Sequence, residues 1–137
     1  MDTKKLLMGT VVGGITYFIL GFLIYGIALA GMMQGPCMRP ETDMVWWAMI
    51  AGNLGYAFLL SYVFLKAGIG SLGAGLQMGA VIALVVALSV DLMMYATTNV
   101  IPDMTGIAVD VVASAVLGSG AGAAVGKVVG SGGAPAA

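Results

Sequence analysis

Hydrophobic residues gather along this chain into four blocks, roughly Leu6 to Gly31, Met44 to Leu65, Leu72 to Thr98 and Met104 to Val129. Each reaches the length of about 20 apolar residues that a helix needs to cross a bilayer, with some tilt allowed. The pattern predicts an all-α membrane protein: a bundle of four transmembrane helices forming a single domain over residues 1–129. The breaks between blocks are short and polar. "MMQGPCMRPETD", Met32 to Asp43, carries two prolines and mixed charge and reads as a surface loop. The last break ends in Pro102-Asp103 and joins the third and fourth blocks as a tight hairpin. After the fourth block, "GSGGAPAA", residues 130–137, reads as a short flexible tail of small residues.

Charge sets the expected orientation. Lys4 and Lys5 precede the first block, Lys66 follows the second and Lys127 lies at the end of the fourth, while Arg39 alone falls between the first and second. An N-in, C-in topology keeps the four lysines on the cytoplasmic side, as the positive-inside rule requires. Both termini are then expected on the cytoplasmic side. Trp46 and Trp47 then lie at the outer interface, where indole faces both water and lipid. The first block also has features of a secretory signal: two lysines, an apolar run and Ala28-Leu29-Ala30 before Gly31. Its run exceeds the usual signal core of about 7–15 residues, which favours a retained span; cleavage would leave three spans in the same orientation.

Composition narrows the chemistry. With 61% hydrophobic and 8% charged residues, the chain lies far from the roughly 25% charged of soluble domains. A net charge of -1, with the charges scattered singly, gives no field to draw in nucleic acid. One cysteine, Cys37, and no histidine leave no internal disulfide and no usual transition-metal or haem ligand set. No cofactor is expected, and no catalytic constellation stands out, so an enzyme is not expected either. The 11 methionines read as flexible apolar filler.

Small residues recur at a spacing of four. Asp110, Ser114, Gly118, Gly122, Gly126 and Gly130 form one stripe on the fourth block. Gly9, Gly13, Tyr17, Gly21 and Tyr25 form another on the first, Gly75 and Gly79 begin one on the third, and Ala48, Gly52 and Tyr56 mark the second. Within lipid, where helices gain little from apolar burial, such stripes allow close packing. They predict glycine-rich contacts inside one bundle; a homodimer seam is the competing use.

The stretches "LGFLIYGIAL", "DLMMYATTN" and "TGIAVDVV" resemble a widespread group of small four-helix bacterial membrane proteins. That group has an aromatic-Tyr-Gly pattern late in its first helix, where this chain has Ile24 at a position often held by tryptophan, and polar or acidic residues flanking its last hairpin. The resemblance implies the four-span architecture and no activity.

Two acids stand well inside the blocks. Asp91 and Asp110 are equidistant from the turn near Val100 and Ile101, so a tight hairpin sets them at matching depth. With a rise of about 1.5 Å per residue, each lies roughly 10 Å outward of the bilayer centre. Tyr25 reaches that level, Asn53 lies somewhat deeper, Tyr95 follows Asp91 by one turn and Ser114 lies just below Asp110. An acid at such depth costs about 2.5–3.5 kcal/mol on insertion scales. Without a lysine or arginine in the spans, the offset has to come from hydroxyl and amide groups, a shared proton, or Arg39 folding inward. Two functional classes follow. In the first, Asp91, Asp110, Tyr25, Asn53, Tyr95 and Ser114 make a proton or cation site for transport. In the second, the polar layer fixes helix register in a non-catalytic accessory or scaffold subunit. The partners implied are the lipid bilayer and either a second copy or a larger membrane complex.

Overall fold

A computed structural model describes residues 1–32 and 37–131. Most of the expected tail, residues 132–137, and part of the first loop, residues 33–36, lie outside the described residues. Four helices span the molecule. The first, α1 (Thr3–Gly21), starts at Asp2, whose carboxylate accepts the Lys5 backbone N–H at 3.2 Å. This is the usual way an aspartate satisfies a free N–H at a helix start. From Gly21 the rod continues without a break into a π-helical segment, Phe22–Ala28, giving an apolar helix of 26 residues.

Helix α2 (Trp46–Ala67) ends at Gly68, the one described residue with positive φ, 71°. There the chain turns left-handed and the Gly68 N–H bonds the Phe64 carbonyl, a conformation glycine takes without a Cβ penalty. Ser71 and Asp103 cap the next two helices, α3 (Leu72–Thr97) and α4 (Met104–Gly130), each accepting a backbone N–H at 3.2 Å. The sequence blocks therefore match the helices to within a few residues at each end. A short 3-10 turn, Glu41–Asp43, interrupts the first loop.

Packing makes α4 the centre of the bundle. It lies along α3 over most of its length, touches α1 extensively and meets α2 more lightly, whereas α2 and α3, consecutive in the chain, hardly touch. Glycine sets the α3–α4 approach. A Cβ on Gly79 would meet the Gly118 carbonyl and lie 2.8 Å from the Gly122 Cα; one on Gly75 would lie 3.0 Å from the Gly126 Cα. The two backbones are in direct contact there. On α1, Gly13 faces Ala57 of α2 and Val125 of α4, and Gly9 faces Ser61 and Val129. A small core of Leu60, Phe64, Ala121, Val125 and Val129 lies toward the end of the bundle that carries Lys4, Lys5, Lys66 and Lys127.

Not every small residue is used this way. A Cβ on Gly21, Gly52 or Gly55 would meet nothing within 4 Å, so the stripes on α1 and α2 are only partly engaged. Outward faces are largely apolar: Val11, Ile15 and Ile19 on α1, and Val81, Val85 and Leu92 on α3, are exposed. Four helices of this length and hydropathy, with such outer surfaces, describe a multi-pass integral membrane protein.

Candidate functional site: an intramembrane carboxylate pair

The hairpin of α3 and α4 brings Asp91 and Asp110 together. Both line one cleft of about 200 Å³, where the two carboxyl groups neighbour one another beyond the glycine seam. Two ionised carboxylates only accept; a hydrogen bond between them requires a proton on one. The pair therefore has a geometry suited to sharing a proton.

Their surroundings are unequal. Tyr25 donates its hydroxyl to Asp110 Oδ1 at 2.8 Å and lies 3.1 Å from Ser114 Oγ, which makes a long bond of 3.5 Å to Asp110 Oδ2. Asp91 is 7% exposed, and its Oδ2 is buried without a hydrogen-bond partner. Asp110 is thus held from α1 and from its own helix, while Asp91 keeps an unsatisfied oxygen. Buried polar atoms are nearly always paired, so a lone carboxylate oxygen needs an explanation in a ligand, water or proton.

The π-helical segment positions Tyr25. The Leu29 N–H bonds the Ile24 carbonyl, five residues back, at 2.8 Å, so each hydrogen-bonded loop here holds one residue more than in an α-helix. Extra backbone in this turn sets the direction in which Tyr25 leaves α1. π-Helical turns are uncommon and concentrate at functional sites.

Two tyrosines that the sequence reading left as packing residues belong to the site. Tyr17 of α1 and Tyr56 of α2 line the inner end of the cleft, ring centres 4.7 Å apart and planes at 44°. The Tyr56 hydroxyl is buried and, like Asp91 Oδ2, has no hydrogen-bond partner. Their signal was present: each interrupts a small-residue stripe, and a bulky polar-tipped ring on a face that packs inward needs room and a partner. Val86, Ala87 and Val90 of α3 form the apolar wall, with Val90 half exposed at the mouth.

Two expected members stand apart. The Asn53 amide donates to the Met49 carbonyl of its own helix at 2.7 Å and does not line the cleft. Tyr95 is 44% exposed and does not line the cleft. Arg39 stays exposed and offers no counter-charge. Four of the six expected residues, Asp91, Asp110, Tyr25 and Ser114, therefore come together.

A scan against protein-family models and searches of curated proteins and of solved structures find no match to this chain.

Proposed function

We propose that this is a small transport protein of the bacterial inner membrane, both termini cytoplasmic, in which Asp91 and Asp110 take up and release a proton or a cation. The observation that carries this reading is the unpartnered, buried Asp91 Oδ2 facing a cleft beside a second carboxyl. An acid kept only to fix helix register gains by having all its oxygens bonded; one that exchanges a proton or ion needs a free oxygen and a way in. Gathering of the four lysines at one end of the bundle supports cytoplasmic termini.

The test is flux in vesicles reconstituted with purified protein under an imposed proton or cation gradient. Wild type is expected to conduct or exchange, and Asp91→Asn and Asp110→Asn each to fall to the level of protein-free vesicles while keeping the same elution profile. Unchanged flux in both variants, or none in the wild type, rejects the reading.

A second reading, an accessory subunit of a larger membrane complex, has one observation in its favour. Gly52 and Gly55 on α2 meet nothing, and Asn53 between them satisfies its amide only on its own helix, a face suited to another helix. Co-purification of a defined complex in mild detergent, lost in Gly52→Trp, supports it; a lone chain in the same detergent counts against it.

A further inference from the structure

The shape of the cleft says what kind of cation suits it. Walls from all four helices meet there: Tyr17 from α1, Tyr56 from α2, Val86, Ala87, Val90 and Asp91 from α3, and Asp110 with Ser114 from α4. No lysine or arginine is among them, so a cation faces no repulsion. Tyr56 of α2 faces Val86, Ala87 and Val90 of α3 across the cleft, and these two consecutive helices hardly touch, so the cleft lies at the gap between them, with its mouth beside the half-exposed Val90. A gap between two spans, flanked by an apolar half-exposed side chain, gives the cleft a side toward lipid.

A bare metal ion fits this lining poorly. Sodium- or calcium-like hard ions take about six or more oxygen ligands. Of the oxygens lining the cleft, two are buried without a partner, Asp91 Oδ2 and the Tyr56 hydroxyl, and both Asp110 oxygens already accept hydrogen bonds from Tyr25 and Ser114. Among the described residues no three acidic, cysteine or histidine side chains gather to hold a metal. Most of the wall is hydrocarbon. A ligand that brings its own apolar body and a few N–H donors matches both parts: donors for the unpartnered oxygens, carbon for Val86, Ala87 and Val90, and charge over the Tyr17 and Tyr56 rings. The volume of about 200 Å³ lies below the roughly 300–1,000 Å³ of drug-sized sites, so the occupant is small.

We infer that the cleft binds a small organic ammonium ion that enters from the lipid between α2 and α3, its N–H groups on Asp91 and its hydrocarbon against the α3 wall. This rests on the reading of the acid pair as a cation or proton site and names the substrate class. Binding places an N–H on Asp91 Oδ2, and a proton shared by the carboxyls that leaves as the cation enters keeps the net charge of the site unchanged.

The experiment measures binding of radiolabelled phenethylammonium to the purified full-length chain in detergent, with wild-type proton flux in vesicles measured alongside. Saturable binding is expected, weakened about thirtyfold or more in Asp91→Asn, the scale for removing one partner of a buried charge pair. Val90→Phe, which crowds the mouth at a half-exposed position the fold tolerates, is expected to weaken it about tenfold. Val85→Phe on the lipid face leaves it unchanged. Absence of binding with intact, Asp91-dependent proton flux overturns this inference and leaves the proton site standing. Absence of both overturns the two together. Binding equal in all variants is micelle partitioning and also overturns it.

Discussion

Asp91 and Asp110 differ in what each would lose on replacement. Asp110 accepts a short bond from Tyr25, and Tyr25→Phe removes it, leaving only the long Ser114 contact. Interhelical hydrogen bonds in membrane proteins contribute about 0.6–2 kcal/mol. Tyr25→Phe is therefore expected to lower stability by about that amount in denaturation from mixed micelles. Asp91 Oδ2 accepts no hydrogen bond, and an amide of the same shape can donate to Asp110 where the acid would share its proton, so Asp91→Asn is expected to stay within about 0.5 kcal/mol of wild type. A large loss in Asp91→Asn would mean that the acid is a packing element. At this scale the sequence made depth legible and rotation not. Asp91, Asp110, Tyr25 and Ser114 were found because their level follows from counting residues from the turn. Asn53 has a suitable level and the wrong face. Tyr95, four residues past Asp91, is turned by about 40° from it, and near the helix end it is left 44% exposed outside the cleft.

Each helix takes its neighbours from where glycine removes side-chain bulk. The α3–α4 seam has backbone against backbone at Gly75, Gly79, Gly118, Gly122 and Gly126. A methyl group there has nowhere to go, because the atoms it meets are carbonyls and Cα atoms rather than flexible side chains. Gly122→Val is expected to destabilise by about 3 kcal/mol or more and to disperse the acid pair, whereas Gly52→Val, with open space around it, stays within about 0.5 kcal/mol. Comparing the two variants in the same micelle titration separates packing from the lower helix propensity of glycine. Equal effects would argue that the seam is not the contact that holds the hairpin. The π-helical segment was invisible in the sequence for a plain reason: "FLIYGIA" is as apolar as the turns before it, and lipid compatibility does not report how many residues a turn contains.

At the scale of the molecule, the number and order of spans were legible because water and lipid sort apolar blocks strongly. Which helix sits beside which was not, because lipid tails and neighbouring helices are equally apolar. That α4 lies at the centre was hinted at only by its run of glycines. Orientation has a direct test in the single cysteine. Cys37 is exposed, on the loop at the end opposite the four lysines. A membrane-impermeant maleimide is expected to label it in intact spheroplasts; labelling only after lysis would reverse the proposed topology.

The weak contact between α2 and α3 divides the chain into two hairpins with different chemistry. The first carries Tyr17, Tyr25 and Tyr56; the second carries Asp91, Asp110 and Ser114. Synthesis runs from the N-terminus, so the hairpin of hydroxyl groups reaches the bilayer first. When the acidic hairpin follows, at a point where each carboxyl is costly to leave in hydrocarbon, its receptor is already in place. The order of the two halves along the gene is then also the order in which the nascent chain can assemble them without stranding a charge.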